Sequence, residues 1–205
     1  MKIICIGRNY SDHAAELGNE VPVEPLFFLK PDSAVLPKRH AFYIPDWTDC
    51  VHYEVELIVK INRLGKAVEH KYANRYYAEV GLGIDFTARD IQTTLKSEGH
   101  PWEKSKAFDN SAVVSEVFIP ISDLGGDVQK LNFKLFLNDD LVQSTSTSFM
   151  IHSVDELIVY VSKFMTIKTG DLIFTGTPAG VGAVVAGDVL TGLLAEKQMF
   201  SVKIK

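Results

Sequence analysis

Only two cysteines, Cys5 and Cys50, occur in 205 residues, and neither belongs to a C-x-x-C pair or a Cys/His cluster. This excludes a disulfide framework and a zinc-ribbon type of site, and isolated thiols suit a reducing compartment. Long hydrophobic runs are also missing. Met1 to Tyr10 holds a short apolar patch and then turns polar, too short for a signal-peptide core or a membrane span. A cytoplasmic protein without a membrane partner is therefore expected. Basic excess is absent: 21 Lys and Arg against 26 Asp and Glu give a net charge of -5. The cations are scattered, so a nucleic-acid partner is not expected. Without repeats, low-complexity tracts or a Ser/Gly/Pro-rich linker, residues 1–205 read as one domain, large enough to bury a core unaided by a structural metal.

What is present is mostly strand. Lys2 to Ile6 is β-branched and apolar, a buried strand; Ser11 to Leu17 reads as a short helix stopped by Gly18 and Asn19; Leu26 to Leu29 reads as another strand. Val51 to Val59 alternates, with Val51, Tyr53, Val55, Leu57 and Val59 on one face and His52, Glu54, Glu56 and Ile58 on the other. Tyr72 to Val80 is expected to be helical, Gly81 to Phe86 extended, and a helix from Thr87 to Lys96 to open on a Thr87/Asp90 cap and end at Gly99 and Pro101. Phe133–Leu137 and Leu141–Ser144 flank Asn138-Asp139-Asp140 as a hairpin. Ser153 to Glu156 forms a capping box before an apolar stripe of Val154, Leu157, Ile158, Val161, Phe164 and Met165. Strands at 171–174, 189–194 and 200–204 complete the chain. Without regular βαβ alternation, the fold class is α+β.

Glu54 and Glu56, two apart on a strand, project from the same face. Such a pair repels unless a cation or proton lies between, and a hard divalent ion prefers oxygen ligands. An alternating strand also places glutamates on a solvent face, and the spacing fits both. Asp85, within the apolar stretch Gly81 to Phe86, is either hydrogen-bonded at a strand end or part of a site, since uncompensated burial of its charge is costly.

His13 and Glu16 are three apart on one helix face. A carboxylate beside an imidazole fixes its tautomer and raises its basicity, although i,i+3 polar pairs are also common on exposed faces. Lys30 and Lys106 are candidates to steady a carboxylate or enolate oxygen, against the usual solvated role of lysine. Thr175-Gly176-Thr177-Pro178-Ala179-Gly180-Val181-Gly182 follows a strand, and its glycines let backbone N–H groups approach an anion. It lacks the Gly-Lys-Ser/Thr of a P-loop, and an ordinary turn is the alternative.

The order of these segments carries more than any one of them. Gly7-Arg8-Asn9-Tyr10 with Asp12-His13 and Glu16, Phe28-Leu29-Lys30-Pro31, Tyr53 to Leu57, Asp85 to Gln92, Lys106 to Asp109 and Thr175 to Pro178 together resemble the fumarylacetoacetate hydrolase family across nearly the whole chain. The compact form is most similar to its acylpyruvate hydrolase and oxaloacetate decarboxylase/tautomerase branch.

The resemblance implies a mixed β-roll, a homodimer, and a divalent ion (Mg²⁺, with Mn²⁺ or Ca²⁺ as alternatives) held by Glu54, Glu56 and Asp85. It implies His13 and Glu16 as an acid-base pair, Lys106 as the enolate-stabilising cation, and Arg8, Lys30, Arg89, Gln92, Thr175 and Gly176 around a small 2-oxo acid. The expected reaction is hydrolysis of a carbon–carbon bond in an acylpyruvate, giving pyruvate and a carboxylic acid. Oxaloacetate decarboxylation, keto–enol tautomerisation and a 2-hydroxyhepta-2,4-diene-1,7-dioate-type isomerisation are the alternatives within the family, and a non-catalytic metal- or carboxylate-binding module the alternative outside it. Two positions depart from the family pattern: Ile84 stands where many isomerase-like relatives have Asn, and His100 replaces Leu or Gln before Trp102.

Overall fold

The computed structural model describes residues 1–16 and 22–205. Its strands are β1 (Ile3–Gly7), β2 (Leu26–Lys30), β3 (Val51–Tyr53), β4 (Val55–Ile61), β5 (Tyr77–Asp85), β6 (Thr87–Ala88), β7 (Ala112–Val114), β8 (Ile119–Pro120), β9 (Asn132–Leu137), β10 (Asp140–Ser146), β11 (Leu172–Phe174), β12 (Gly182–Ala183), β13 (Val189–Leu194) and β14 (Lys197–Lys203). The helices are α1 (Ser11–Glu16), α2 (Arg89–Glu98), α3 (Glu103–Lys106) and α4 (Val154–Phe164). Strands dominate in a mixed arrangement, the α+β class expected. No described helix is long and apolar enough to cross a membrane.

The largest sheet runs β2-β1-β11-β4-β5-β7, with β8 beside β5. Its middle strands are apolar on both faces because both faces are covered. Ile4, Ile6, Leu57 and Val59 join the main core, while Ile3, Cys5, Ile58 and Phe174 pack a second cluster on the reverse. Cys5 is a free, fully buried thiol in that second layer. A second sheet, β10-β9-β13-β14, contributes Phe133, Leu135 and Leu190 to the main core. A third, β12-β3-β6, is small.

The helix α4 forms as its stripe dictates. Ser153 and Glu156 make both bonds of the capping box, worth about 1 kcal/mol. Val154, Leu157, Ile158 and Val161 are fully buried, each contributing roughly 1.5–3 kcal/mol of transfer free energy. Phe164 departs from the stripe: it is largely exposed and packs its ring against Phe27 and Tyr160. The hairpin turns on two residues, Asn138 and Asp139, both at positive φ, rather than on three. Asn and Asp tolerate that conformation without a glycine, and the Asn138 amide is anchored on Asp188 at 2.7 Å.

Two local expectations are corrected. Tyr72 to Val80 is not a helix: a 3₁₀ turn at His70–Arg75 gives way to β5, which begins at Tyr77. Pairing with β4 from Tyr77↔Ile61 to Ile84↔Val55 overrides the local propensity. The helix α2 starts at Arg89, two residues after Thr87, with no side-chain cap. Asp90 instead accepts hydrogen bonds from Thr48 Oγ1 and Asp49 N, tying the helix start to a neighbouring loop. Gly99 closes α2 in the left-handed conformation, as expected. Of the first helix, Ser11–Glu16 is observed, while Leu17, Gly18 and Asn19 lie outside the described residues.

Candidate active site

The alternating segment from Val51 to Val59 is broken at Glu54, where the chain leaves the small sheet through β3 and enters the large one as β4. That crossing turns both glutamates inward: Glu54 is 5 % exposed and Glu56 2 %, so the solvent-face reading is excluded. Asp85, 1 % exposed, ends the adjacent strand, and its backbone N–H donates to Glu54 O at 2.9 Å. Gly83 sits opposite Glu56 on β5, where a Cβ would press into Val113 O. The three carboxylates converge, one oxygen from each lying within 4.8 Å of the others.

Their electrostatics differ. Burial alone would push Glu54 up, but the Lys106 ammonium at 2.8 Å and the Arg89 guanidinium hold it well below the ordinary carboxylate range. Glu56 lacks such a partner among the described residues, and burial together with the charges of Asp85 and Glu54 pushes it well up. The backbone N–H of Gly176, 2.7 Å from Oε2, opposes that rise. Asp85 meets Lys106 through Oδ2 at 2.7 Å and has the Lys30 ammonium 2.7 Å from Oδ1.

This donor set fits a hard divalent cation. Three buried carboxylates from two adjacent strands supply oxygen ligands. Asp85 is already met by two ammonium groups, but Glu56 pairs with no cation among the described residues. Its buried carboxylate marks the place where a bound cation would relieve a cost of burial.

The imidazole of His13 is 5 % exposed and opens on the same cavity as the carboxylates. Its Nδ1 lies 3.3 Å from Glu16 Oε2, and the Glu16 carboxylate accepts in turn from Gly180 N at 3.1 Å. Burial lowers the His13 pKa, against the opposing pull of Glu54 and Glu16. This is a neutral imidazole oriented by a carboxylate, the arrangement of a general base.

The remaining sequence candidates divide by position. Arg8, Arg89, Gln92 and Lys106 line the cavity. Arg89 bonds Gln92 Oε1 at 2.7 Å, so guanidinium, amide and Glu54 form one unit. Lys106 points its ammonium at Glu54, Asp85 and Thr87, which occupies all three of its N–H groups; what it offers the cavity in this arrangement is charge. Burial opposes that charge, but Asp85 and Glu54 raise its pKa regardless. Lys30 and Thr175 stand behind the site. Lys30 is 1 % exposed, pairs with Asp85 and donates to Ser111 Oγ at 2.9 Å and the carbonyl of Lys106. The Thr175 hydroxyl donates to Leu57 O at 3.0 Å. Gly176 presents its N–H to Glu56, so the anion this loop serves is the protein's own carboxylate.

Sequence reasoning missed Lys96, Phe28, Trp102 and Thr177, which also line the cavity. For Lys96 a signal existed: it follows Arg89 by seven and Gln92 by four, the spacing of one helix face. The two departures fall outside the chemistry. Ile84 is a fully buried core residue, and His100 pairs with Glu98 at 2.9 Å on the exposed end of α2.

This arrangement has counterparts. The chain is 43% identical over 190 residues to oxaloacetate tautomerase YcgM of Escherichia coli (strain K12), covering 93% of this chain and 86% of the relative. It is 44% identical over 186 residues to the mitochondrial oxaloacetate tautomerase FAHD1 of Rattus norvegicus, covering 91% and 83%. Among solved structures, fumarylpyruvate hydrolase from Pseudomonas aeruginosa, in complex with Mn²⁺ and pyruvate, superposes with a TM-score of 0.92 at 34% identity, covering 100% of this chain and 89% of that one. The model of the fumarylacetoacetate (FAA) hydrolase C-terminal family matches residues 2–200. Buried carboxylates, ordered motifs and fold therefore agree, and the chain belongs to the fumarylacetoacetate hydrolase family.

Proposed function

We propose that this protein is a divalent-metal-dependent enzyme, with Mg²⁺ as the resident ion, that interconverts the keto and enol forms of oxaloacetate. The observation that carries the reading is the placing of a neutral, carboxylate-oriented His13 on the same cavity as Glu54, Glu56, Asp85 and the Lys106 ammonium. The relatives named oxaloacetate tautomerase, at 43% and 44% identity, support it.

Glu54, Glu56 and Asp85 would hold the ion, which when bound supplies Lewis acidity to a 2-oxo acid. Glu16 accepts from His13 Nδ1 and so leaves Nε2 with the lone pair. Nε2 takes the C3 proton of the keto form, electrons from the C3–H bond move into the C2–C3 bond, and charge appears on the 2-oxo oxygen. The same proton, returned from the imidazolium to that oxygen, completes the enol. Lys106 stabilises the developing negative charge across the low-dielectric cavity, and Arg89, fixed by Gln92, orients the carboxylate end.

Hydrolysis of acylpyruvates is the second reading. It uses the same chelation but has His13 and Glu16 deprotonate a water, and the likeness to fumarylpyruvate hydrolase supports it. One assay separates the two. Ketonisation of oxaloacetate enol is followed by ultraviolet absorbance with and without Mg²⁺, beside cleavage of acetylpyruvate and fumarylpyruvate, for wild type and Glu54→Ala. Metal-dependent acceleration of ketonisation by wild type alone is expected. Ketonisation no faster than in buffer with either Mg²⁺ or Mn²⁺ would sink the tautomerase reading, and turnover of acylpyruvates alone would replace it with hydrolysis.

A further inference from the structure

The cavity contains more positive charge than its own acids match. Lys106 and Arg89 are paired with Glu54 and Asp85, but Arg8 and Lys96 have no carboxylate partner among the described residues. Arg8 is held at φ 58°, the left-handed region, and its buried Nε has no acceptor among the described residues. A polar group buried without a partner and a strained backbone are both features that a bound ligand can justify.

Lys96 stands 5.2 Å from the centroid of the Trp102 ring, and Trp102 meets Phe28 edge-on at 5.9 Å. These rings form an apolar wall that strips water from the ammonium and strengthens any charge pairing beside it. Burial first, then the charges of Arg8, Arg89 and Lys106, lower the Lys96 pKa to about 8. The group is thus still mostly protonated at neutral pH, and it is crowded by like charge.

We propose that Lys96, together with Arg8, receives the second carboxylate of a dianionic substrate, the one remote from the acidic triad, and so sets a preference for dicarboxylates over monocarboxylates. The inference rests on the reading of the triad as the site that holds the 2-oxo acid end. Trp102 and Phe28 border the chain of the substrate between its two ends and limit its length.

The test uses Mn²⁺-loaded protein and two stable probes, L-malate and L-lactate, which share a 2-hydroxy acid end and differ in the distal carboxylate. Affinities are measured by calorimetry for wild type, Lys96→Met and Lys96→Arg. Wild type is expected to favour malate. Lys96→Met should weaken malate roughly tenfold or more, as for one lost charge-assisted hydrogen bond, and lactate by no more than about twofold. Lys96→Arg should restore most of the difference. A malate-to-lactate ratio in Lys96→Met equal to that of wild type, or no wild-type preference, overturns the assignment. Oxaloacetate ketonisation by wild type is scored separately, so failure of the tautomerase reading is distinguishable from failure of this one.

Discussion

The side-chain oxygen of Gln143 accepts a hydrogen bond at 3.0 Å from the backbone N–H of Val55, the residue between Glu54 and Glu56. Its amide nitrogen donates to Thr177 Oγ1 at 3.0 Å and Pro178 O at 2.9 Å. One buried side chain, placed by a bulge in β10, thus ties the strand that presents two carboxylates to the loop that braces one of them. Gln143→Leu leaves the Val55 N–H buried without an acceptor and should cost about 1–3 kcal/mol in urea denaturation. Mn²⁺ affinity should fall about 10–100-fold by calorimetry, as for other residues that support ligands. Unchanged affinity would mean the glutamates are positioned without it.

Gly176 has φ 99°, and a Cβ there would stand 2.7 Å from Asn9 Cβ. Gly176→Ala is therefore expected to destabilise by about 1–3 kcal/mol in thermal or chemical unfolding. It should also weaken the metal, because the N–H that faces Glu56 moves.

The triad predicts ligand-linked stability. Mg²⁺ or Mn²⁺ at about 100 times its dissociation constant should add roughly 2.7 kcal/mol to wild-type stability, read as a rise in melting temperature. Glu54→Gln should abolish most of that rise. An equal rise in both proteins would place the ion elsewhere.

His13 acts, in the proposed reaction, as the free base. Its lowered pKa means the neutral form persists to lower pH than for an ordinary histidine, so the acid limb of kcat/KM for oxaloacetate enol should have its midpoint below 6.5. His13→Gln should remove that limb and lower kcat by about 10²–10⁴-fold, the usual contribution of a positioned base. A retained limb with full activity would assign the proton transfer to another group.

Asp171 anchors the start of the chain. It accepts from Lys2 N and Lys168 N, each at 2.8 Å, and pairs with the Lys2 ammonium. Burial would push its carboxyl up, but these donors outweigh burial and hold it below its ordinary value. A depressed folded-state pKa gives stability that is present above the unfolded pKa and lost as pH falls through the folded one. Asp171→Asn should then cost about 1–3 kcal/mol near neutral pH. Most of that cost should vanish as pH falls below the lowered folded-state pKa, where both states of the wild-type carboxyl become protonated. A cost independent of pH would indicate shape rather than charge.

Much of the architecture was legible because it is local. The capping box at Ser153, the stripe of α4 and the hairpin at Asn138 each follow from side-chain period or turn chemistry, whereas the alternation at Val51–Val59 located extended chain but not its break at Glu54 or the burial of its second face. The helix expected at Tyr72–Val80 failed because the pairing of β5 with β4 lies outside any local window. The Thr87 cap failed because Asp90 had a stronger use, in binding Thr48 and Asp49.

By itself the amino-acid order determined which residue types stood available and which could share a face: Glu54 with Glu56, His13 with Glu16, and Arg89 with Gln92 and Lys96. Only the tertiary structure decided that Glu54 and Glu56 face inward, that Asp85 closes the triad, that Lys106 bridges Glu54 to Asp85, and that Lys30 lies behind the site rather than in it. The physical reason is the same in each case. Burying a carboxylate is tolerable only where a cation, an N–H group or a metal compensates it. Those partners are supplied by segments up to 120 residues away, as Gly176 is from Glu56.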